Sequence, residues 1–360
     1  MGAASRPRGM VERREGIMRQ RQNINVAGAA LVVGAMATII GLISPAAAQA
    51  GNPIVMKLST ATINDTQHEW LKRFAAAVEK DSGGRIKAEI YPASQLGAIP
   101  RQIEGVQFGS IQGWIGPPEF LVGVDDRYQA LSAPGLFTSE DQDVRVINDP
   151  PVRDMMLGLG GDKGLAGVAL APIGPSSIIT RKPINHLADF KGLKIRVLAS
   201  PFQLEMVKRM DASPVAMTLA DVLPALQQGA IDGGLATITV YTTFHYQDAA
   251  KYVVESDQPY LNSIVVMSKT WVGSLPPDLQ KIVRDDATEV SAGIVPFVKD
   301  FFAASRKAWT DNGGELTSLP AGEQAALIEK VSSIGIDLSA SDPGLNAAVK
   351  TAFASAKRNQ

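Results

Sequence analysis

Residues 189–232 read DFKGLKIRVLASPFQLEMVKRMDASPVAMTLADVLPALQQGAID, and the order of elements in this stretch decides the fold. Gly192 turns the chain into a strand in which Leu193, Ile195 and Val197 share one face and Lys194 and Arg196 the other. A helix follows at once. Ser200 is a natural N-cap, Pro201 stands at the first helical position, and Gln203 sits at the capping-box spacing. Phe202, Met206 and Met210 recur every four residues as its buried stripe. Pro214–Met217 is a short apolar strand, and Thr218 with Asp221 caps a second helix that closes at Gly229, before Ile231-Asp232-Gly233-Gly234. Two strand–helix units in so short a span imply a parallel α/β arrangement. Arg196 then lies near the carboxyl edge of a sheet, where open α/β folds bind ligands.

The chain of 360 residues is 45% hydrophobic and 20% charged, a balance that supports one or two globular domains and argues against disorder. Its first fifty residues have a different character. Arg6, Arg8, Arg13, Arg14, Arg19 and Arg21 precede an uncharged run centred on Val26–Ile43, and Ala46-Ala47-Ala48-Gln49-Ala50 supplies the small residues a signal peptidase requires. A secretory signal over residues 1–50, cut after Ala48 or Ala50, is the expectation, with Met18 as an alternative start. The competing reading is a retained anchor, since the apolar run just reaches spanning length. Either way the remainder faces the exterior of the inner membrane, the periplasm, and no second run of spanning length follows. Removing the leader's six Arg and two Glu from totals of 35 basic and 36 acidic residues leaves 29 and 34. That mild acidity excludes a nucleic-acid footprint and a polybasic membrane patch.

The rest of the chain opens with a strand at Ile54–Ala61, a polar loop Thr62–Asp65, and a helix Thr66–Ser82 carrying Trp70, Phe74 and Val78 on one face. A strand Arg85–Tyr91, a helix marked by Ile99, Ile103 and Val106, and a strand Ile111–Ile115 follow, with Gly116-Pro117-Pro118-Glu119 turning at its exit. A helix over Glu140–Leu159 and a strand Leu165–Pro172 finish a first lobe. A strand Asn262–Lys269 returns to that lobe after a second one. A long helix Pro277–Asn312 kinks at Pro296, and helices Ala321–Ser333 and Asn346–Lys357 end the chain. The expected division is 51–173 plus 262–301 for lobe I and 174–261 plus 302–360 for lobe II, joined by a hinge of several strands.

Catalytic chemistry finds little support. Gly158–Gly164 is glycine-rich but misses both the Rossmann spacing and the P-loop ending, so it reads as a helix-ending turn. No Gly-x-Ser-x-Gly elbow is present. His68, His186 and His245 stand far apart, without ligands at metal spacing. The absence of cysteine excludes thiolate nucleophiles and thiolate metal sites. No catalytic residue, metal or cofactor is expected.

The runs ADFKGLKIRV (residues 188–197) and SPVAMTLADVLPALQQGAIDG (213–233) resemble the signature of the solute-binding proteins of tripartite ATP-independent periplasmic (TRAP) transporters. Gly83-Gly84-Arg85-Ile86, Tyr91–Gly97 and Leu275–Gln280 add to the likeness in order and spacing, over roughly residues 54–310. The resemblance implies a two-lobed periplasmic-binding-protein fold of class II type, with mixed sheets, a hinge and a long helix running across both lobes. It implies a receptor without enzymatic activity that closes over an organic acid, and as partners a small and a large permease subunit driven by an ion gradient. A monomer is expected. The family's arginine at the place of Arg196 holds the ligand's carboxylate, which suits a planar fork that stays charged when desolvated. By family position or loop placement, Gln95, Glu119, Ser176, Phe202, Ala236, Thr237 and His68 are candidate walls. Two departures stand out: many relatives carry a second arginine where this chain has Ser176, and polar residues where it has Gly234–Thr239. A ligand with one carboxylate and a largely apolar body is the resulting expectation, although Arg181 or Arg127 could swing in. The alternatives are a receptor for an ATP-driven importer, a secreted α/β hydrolase or isomerase, and an anchored sensor ectodomain.

Overall fold

Two β-sheets carry residues 52–360, the part of the chain that the computed structural model describes. The expected signal segment and its cleavage site lie outside the described residues. The first sheet is built from β1 (Ile54–Ser59), β2 (Ile86–Tyr91), β3 (Gly113–Gly116), β4 (Leu165–Pro175) and, far along the chain, Tyr260–Ser268. Between β1 and β2 runs α1 (Thr66–Asp81), started by Asp65, whose carboxylate accepts from His68 N at 3.0 Å. Trp70, Leu71, Phe74 and Val78 face the sheet, and the Trp70 and Phe74 rings stack at 4.8 Å. Gly83 and Gly84, at φ of 61° and 77°, supply the left-handed backbone that ends the helix. Helix α2 (Ile99–Phe108) leads to β3, which pairs parallel with β1.

The helix expected over Glu140–Leu159 is two helices, α3 (Glu140–Asn148) and α4 (Pro150–Gly158). Asp149 between them is extended (φ −65°, ψ 122°), as a residue before proline tends to be, and Pro150 and Pro151 cannot donate into the ladder of a continuous helix. The glycine-rich stretch does close α4, with Gly160 and Gly164 at φ of 70° and 83°.

The second sheet takes β5 (Ser177–Thr180), β6 (Lys194–Val197), β7 (Ser213–Ala216), β8 (Gly233–Ala236), β9 (Tyr252–Val254) and Glu315–Thr317. Strand β6 lies between β7 and β8, parallel to both, with Arg196 beside Val215 and Gly234. Strand β5 runs antiparallel to β8 and β9, so the sheet as a whole is mixed. Helix α5 (Pro201–Arg209) is capped by Ser200, which accepts from Phe202 N at 3.1 Å. Gln203 does not complete a capping box; its Oε1 accepts from Leu198 N at 3.0 Å and tightens the entry to the helix. Thr218 precedes α6 (Leu219–Gln227), and its hydroxyl donates to Asp221 Oδ2 at 2.7 Å rather than capping a helix N–H. The short α7 (Ile238–Thr243) follows β8.

The chain passes between the sheets at neighbouring places. Strand β4 ends at Pro175 and β5 begins at Ser177, and residues 255–259 connect β9 to β10 (Tyr260–Ser268), which runs antiparallel to β3 and β4. These passages bond to each other: Ser176 N donates to Pro259 O at 3.1 Å and Ser256 Oγ to Ser176 O at 3.3 Å. After α8 (Lys269–Ser274), the long helix breaks into α9 (Pro277–Gly293) and α10 (Val295–Asp311) beside Pro296, as its position implies. Helix α10 touches both sheets' elements. Phe302 packs by Gly174 of β4, and Ser305 O accepts from Thr242 Oγ1 of α7 at 3.0 Å.

Beyond β11 (Glu315–Thr317) come α11 (Ala321–Ser332), an additional short α12 (Ile334–Ser339), and α13 (Pro343–Arg358). The last helix packs against α3 and α4, which the sequence reading places in the other lobe. Gln142 Nε2 donates to Ala356 O at 2.8 Å, and Ser355 Oγ donates to Asp149 Oδ2 at 2.5 Å. No helix of the described residues is long and apolar enough to cross a membrane.

Two buried polar groups make this packing testable. Asp143 on α3 is held by one bond, from Asn262 Nδ2 at 3.0 Å, and its Oδ2 has no partner among the described residues. Burial pushes its carboxyl up to about 8. A carboxyl raised on folding favours the native state most below its unfolded value and loses that contribution as pH rises through the native one. The melting temperature of Asp143→Asn should therefore gain on that of the unmutated protein as pH rises from 5 to 8; a constant difference across that range would contradict the assignment. Tyr241 Oη accepts from Ala236 N at 2.7 Å and lies 2.8 Å from Ser177 O and 2.7 Å from Gly234 O. Tyr241→Phe leaves the Ala236 N–H unpaired and should cost about 1–3 kcal/mol in urea unfolding.

Candidate ligand-binding cleft

The carboxyl ends of the parallel strands of both sheets open onto one cleft of about 470 Å³ of empty space, partly continuous with solvent. From the first sheet it receives Ala61 and Thr62 after β1, Gln67 on the first turn of α1, Trp114, Ile115 and Gly116 of β3, Pro117 and Phe120 beyond it, Ile173 of β4 and Leu261 of β10. From the second it receives Arg196 of β6, Leu198, Leu219 at the start of α6, Ala236 and Thr237 at the end of β8, and Val240 of α7. Among these lining residues Arg196 is the one charged side chain.

Arg196 is 2% exposed. Its aliphatic stem passes Gly234, and its guanidinium is fixed by two carbonyls: Nε donates to Met217 O at 3.0 Å and Nη1 to Leu235 O at 2.9 Å. No carboxylate pairs with it among the described residues. Burial lowers its pKa to about 10, opposed by the Tyr246 and Tyr241 hydroxyls and by Glu119. The guanidinium thus remains a cation at neutral pH, with N–H donors beyond the two that the carbonyls take. The arrangement can hold an anion by charge and by geometry, and it offers no nucleophile–base pair among the lining residues.

The other residues singled out in the sequence divide. Ala236 and Thr237 line the cleft, Thr237 being buried with its hydroxyl 2.7 Å from that of Thr239. The remaining five do not line it. Phe202 is wholly buried in the core with Ile195 and Val197, because the stripe it shares with Met206 faces the sheet. Ser176 lies in the passage between β4 and β5, 1% exposed, its hydroxyl without a partner among the described residues. Glu119 is buried; its Oε1 accepts from Gln203 Nε2 at 3.4 Å, its Oε2 has no partner among the described residues, and burial raises it to about 7. Gln95 is exposed in the loop after β2. His68 is turned away: its Nδ1 accepts from Asn64 N at 3.1 Å, while its neighbour Gln67, about 100° around the helix, reaches the cleft. Arg127 is engaged by Asp125 at 2.8 and 2.5 Å, and Arg181 is exposed near Gly229, so neither joins the wall.

Trp114, Gln67, Phe120 and Leu219 are wall residues that the sequence reading missed. For Trp114 the available signal was an aromatic at the carboxyl end of a parallel strand, two residues before a glycine. Among the described residues no group of three histidine, aspartate or glutamate side chains stands ready to hold a metal.

Comparison with known proteins places this geometry. Residues 59–337 match the family model DctP, described as bacterial extracellular solute-binding protein, family 7. The C4-dicarboxylate-binding periplasmic protein DctP of Rhodobacter capsulatus is 28% identical over 315 residues, 84% of this chain and 91% of that one. A TRAP periplasmic solute-binding protein from Desulfovibrio salexigens, solved with bound orotic acid, superposes with a TM-score of 0.81 at 24% identity, covering 85% of this chain and 99% of that one. Another from Xanthobacter autotrophicus, solved with bound β-D-galacturonate, gives 0.78 at 25% identity, covering 83% and 99%. The family model spans more than half of the chain, so the chain belongs to family 7 of the bacterial extracellular solute-binding proteins and is a TRAP-type periplasmic receptor, not an enzyme.

Proposed function

We propose that this receptor captures a small organic acid with one carboxylate on a largely apolar body, and that Arg196 clamps the carboxylate. The observation that carries the reading is a buried guanidinium with no acidic partner among the described residues, the one charged group in a wall that is otherwise uncharged and mostly apolar. A second carboxylate on the ligand would enter a wall with no second cation, at a desolvation cost of several kcal/mol. Relatives with 25% identity or more include proteins named for a C4-dicarboxylate, for 2,3-diketo-L-gulonate and for ectoine, and one solved with β-D-galacturonate, which supports an organic acid as the cargo class.

In this reading the two sheets are the hearts of two lobes that hinge at Ser176 and at residues 255–259, with α13 belonging to the first lobe. Closure brings Trp114 and Gln67 toward Arg196 and Thr237, and the closed form is what a two-subunit membrane permease recognises. Residues 1–50 act as the cleaved export signal.

Arg196→Ala should weaken binding by about 2–5 kcal/mol, by analogy with buried charge pairs, or about thirtyfold to several thousandfold. Arg196→Lys keeps the charge, loses the fork and should fall between. A thermal-shift screen of pentanoate, succinate and galacturonate, followed by calorimetry on the hits, checks this. Tight succinate binding without response to monocarboxylates, or full affinity in Arg196→Ala, would refute it.

A further inference from the structure

Three tryptophans are fully buried, and they differ at one atom. Trp70 Nε1 donates to Ser291 Oγ at 2.9 Å and Trp309 Nε1 to Glu315 O at 3.4 Å. Trp114 Nε1 is buried and has no acceptor among the described residues, although Trp114 lines the cleft. A buried N–H left unpaired is costly, and native interiors rarely keep one without a use. The indole is fixed in place by its own strand: it lies over Gly116, where a side-chain Cβ would stand 2.3 Å from ring carbon Cζ2. The neighbouring polar walls are engaged at their oxygens, while the Gln67 amide nitrogen is not among the buried unpartnered atoms. Gln67 Oε1 accepts from Thr60 Oγ1 at 3.0 Å, Thr62 Oγ1 lies 3.3 Å from Thr60 Oγ1, and Thr237 pairs with Thr239. Trp114 is the one lining residue whose buried side-chain polar atom is unpartnered among the described residues.

We infer that the Trp114 indole N–H is a second anchor of the cleft, donating a hydrogen bond to an uncharged oxygen or nitrogen acceptor of the ligand while Arg196 holds its carboxylate. This rests on the carboxylate reading and narrows it to an acid that also bears a ketone, amide carbonyl or ring nitrogen. An indole is a donor only, so it selects acceptors. It carries no charge, so it cannot compensate a second carboxylate as a guanidinium would.

Calorimetry with pentanoate, 2-oxopentanoate and 4-oxopentanoate tests the assignment at constant carbon skeleton. At least one oxo acid should bind about tenfold more tightly than pentanoate, the size of one well-placed buried hydrogen bond. Trp114→Phe keeps an aromatic wall and should erase that preference, leaving the ratio near one. Arg196→Gln should instead weaken all three acids together, so failure of the clamp and failure of the indole assignment are read separately. No preference in the unmutated protein, or a preference that survives Trp114→Phe, overturns the inference. Should that variant fold poorly, ¹⁵N-indole spectra of the unmutated protein decide: the preferred oxo acid should move one of the four tryptophan N–H signals downfield. An unchanged indole spectrum at saturation overturns it.

Discussion

Taking the Arg196 guanidinium out of water removes hydration worth several kcal/mol, and this chain offsets the loss with backbone carbonyls in place of an acid. Both carbonyls come from the neighbours of β6: Leu235 belongs to β8, and Met217 is the residue after β7. Three parallel strands therefore meet at one side chain, and the register that sets Arg196 beside Val215 and Gly234 also determines where its fork points. A carbonyl dipole steadies a cation without neutralising it. The positive charge stays available to whatever enters the cleft, which an aspartate at the same distance would prevent.

The rest of the second sheet serves that placement. Tyr241 on α7 fastens the end of β8 through Ala236 and Gly234, so the strand that supplies the Leu235 carbonyl cannot drift from the one that carries the arginine. Its ring lies 6.2 Å from that of Trp309 on α10, and α10 reaches back to β4 of the first sheet through Phe302. The cleft wall is thus continuous with the packing that links the sheets.

Much of this was legible in the amino-acid pattern. The strand–helix–strand–helix order of residues 189–232, the cap at Ser200, the break at Pro296 and the position of Arg196 follow from local rules that the tertiary structure does not override. The missed break at Asp149 was also written locally, in Pro150-Pro151, which cannot donate into a continuous helix. The walls of the cleft were less legible for a physical reason. A residue at a strand end or on a first helical turn faces the cleft or the core according to its neighbours' volumes, and sequence spacing does not report those. His68 and Gln67 differ by one position and by about 100°. Phe202 was recognisable as part of a buried stripe, and that same stripe excludes it from the cleft. The place of α13 depends on contacts between residues more than two hundred apart, which no local pattern encodes.

On the proposed reading, a receptor that closes over its acid must prefer the closed form only when loaded, and the division of groups between the sheets would provide that preference. The second sheet brings the cation and the first brings the indole, Gln67 and most of the apolar wall. An acid lying on Arg196 in an open cleft would satisfy charge but leave its body in water. Closing over it would bury that body against Trp114, Phe120 and Ile173, at about 25 cal/mol for each Å² removed from water, and would strengthen the charge contact by lowering the local dielectric. Closing without an acid would gain neither term, because the guanidinium is already buried against its two carbonyls. On the proposed reading, ligand and closure would favour each other through the burial of the acid's body and its contact with Arg196.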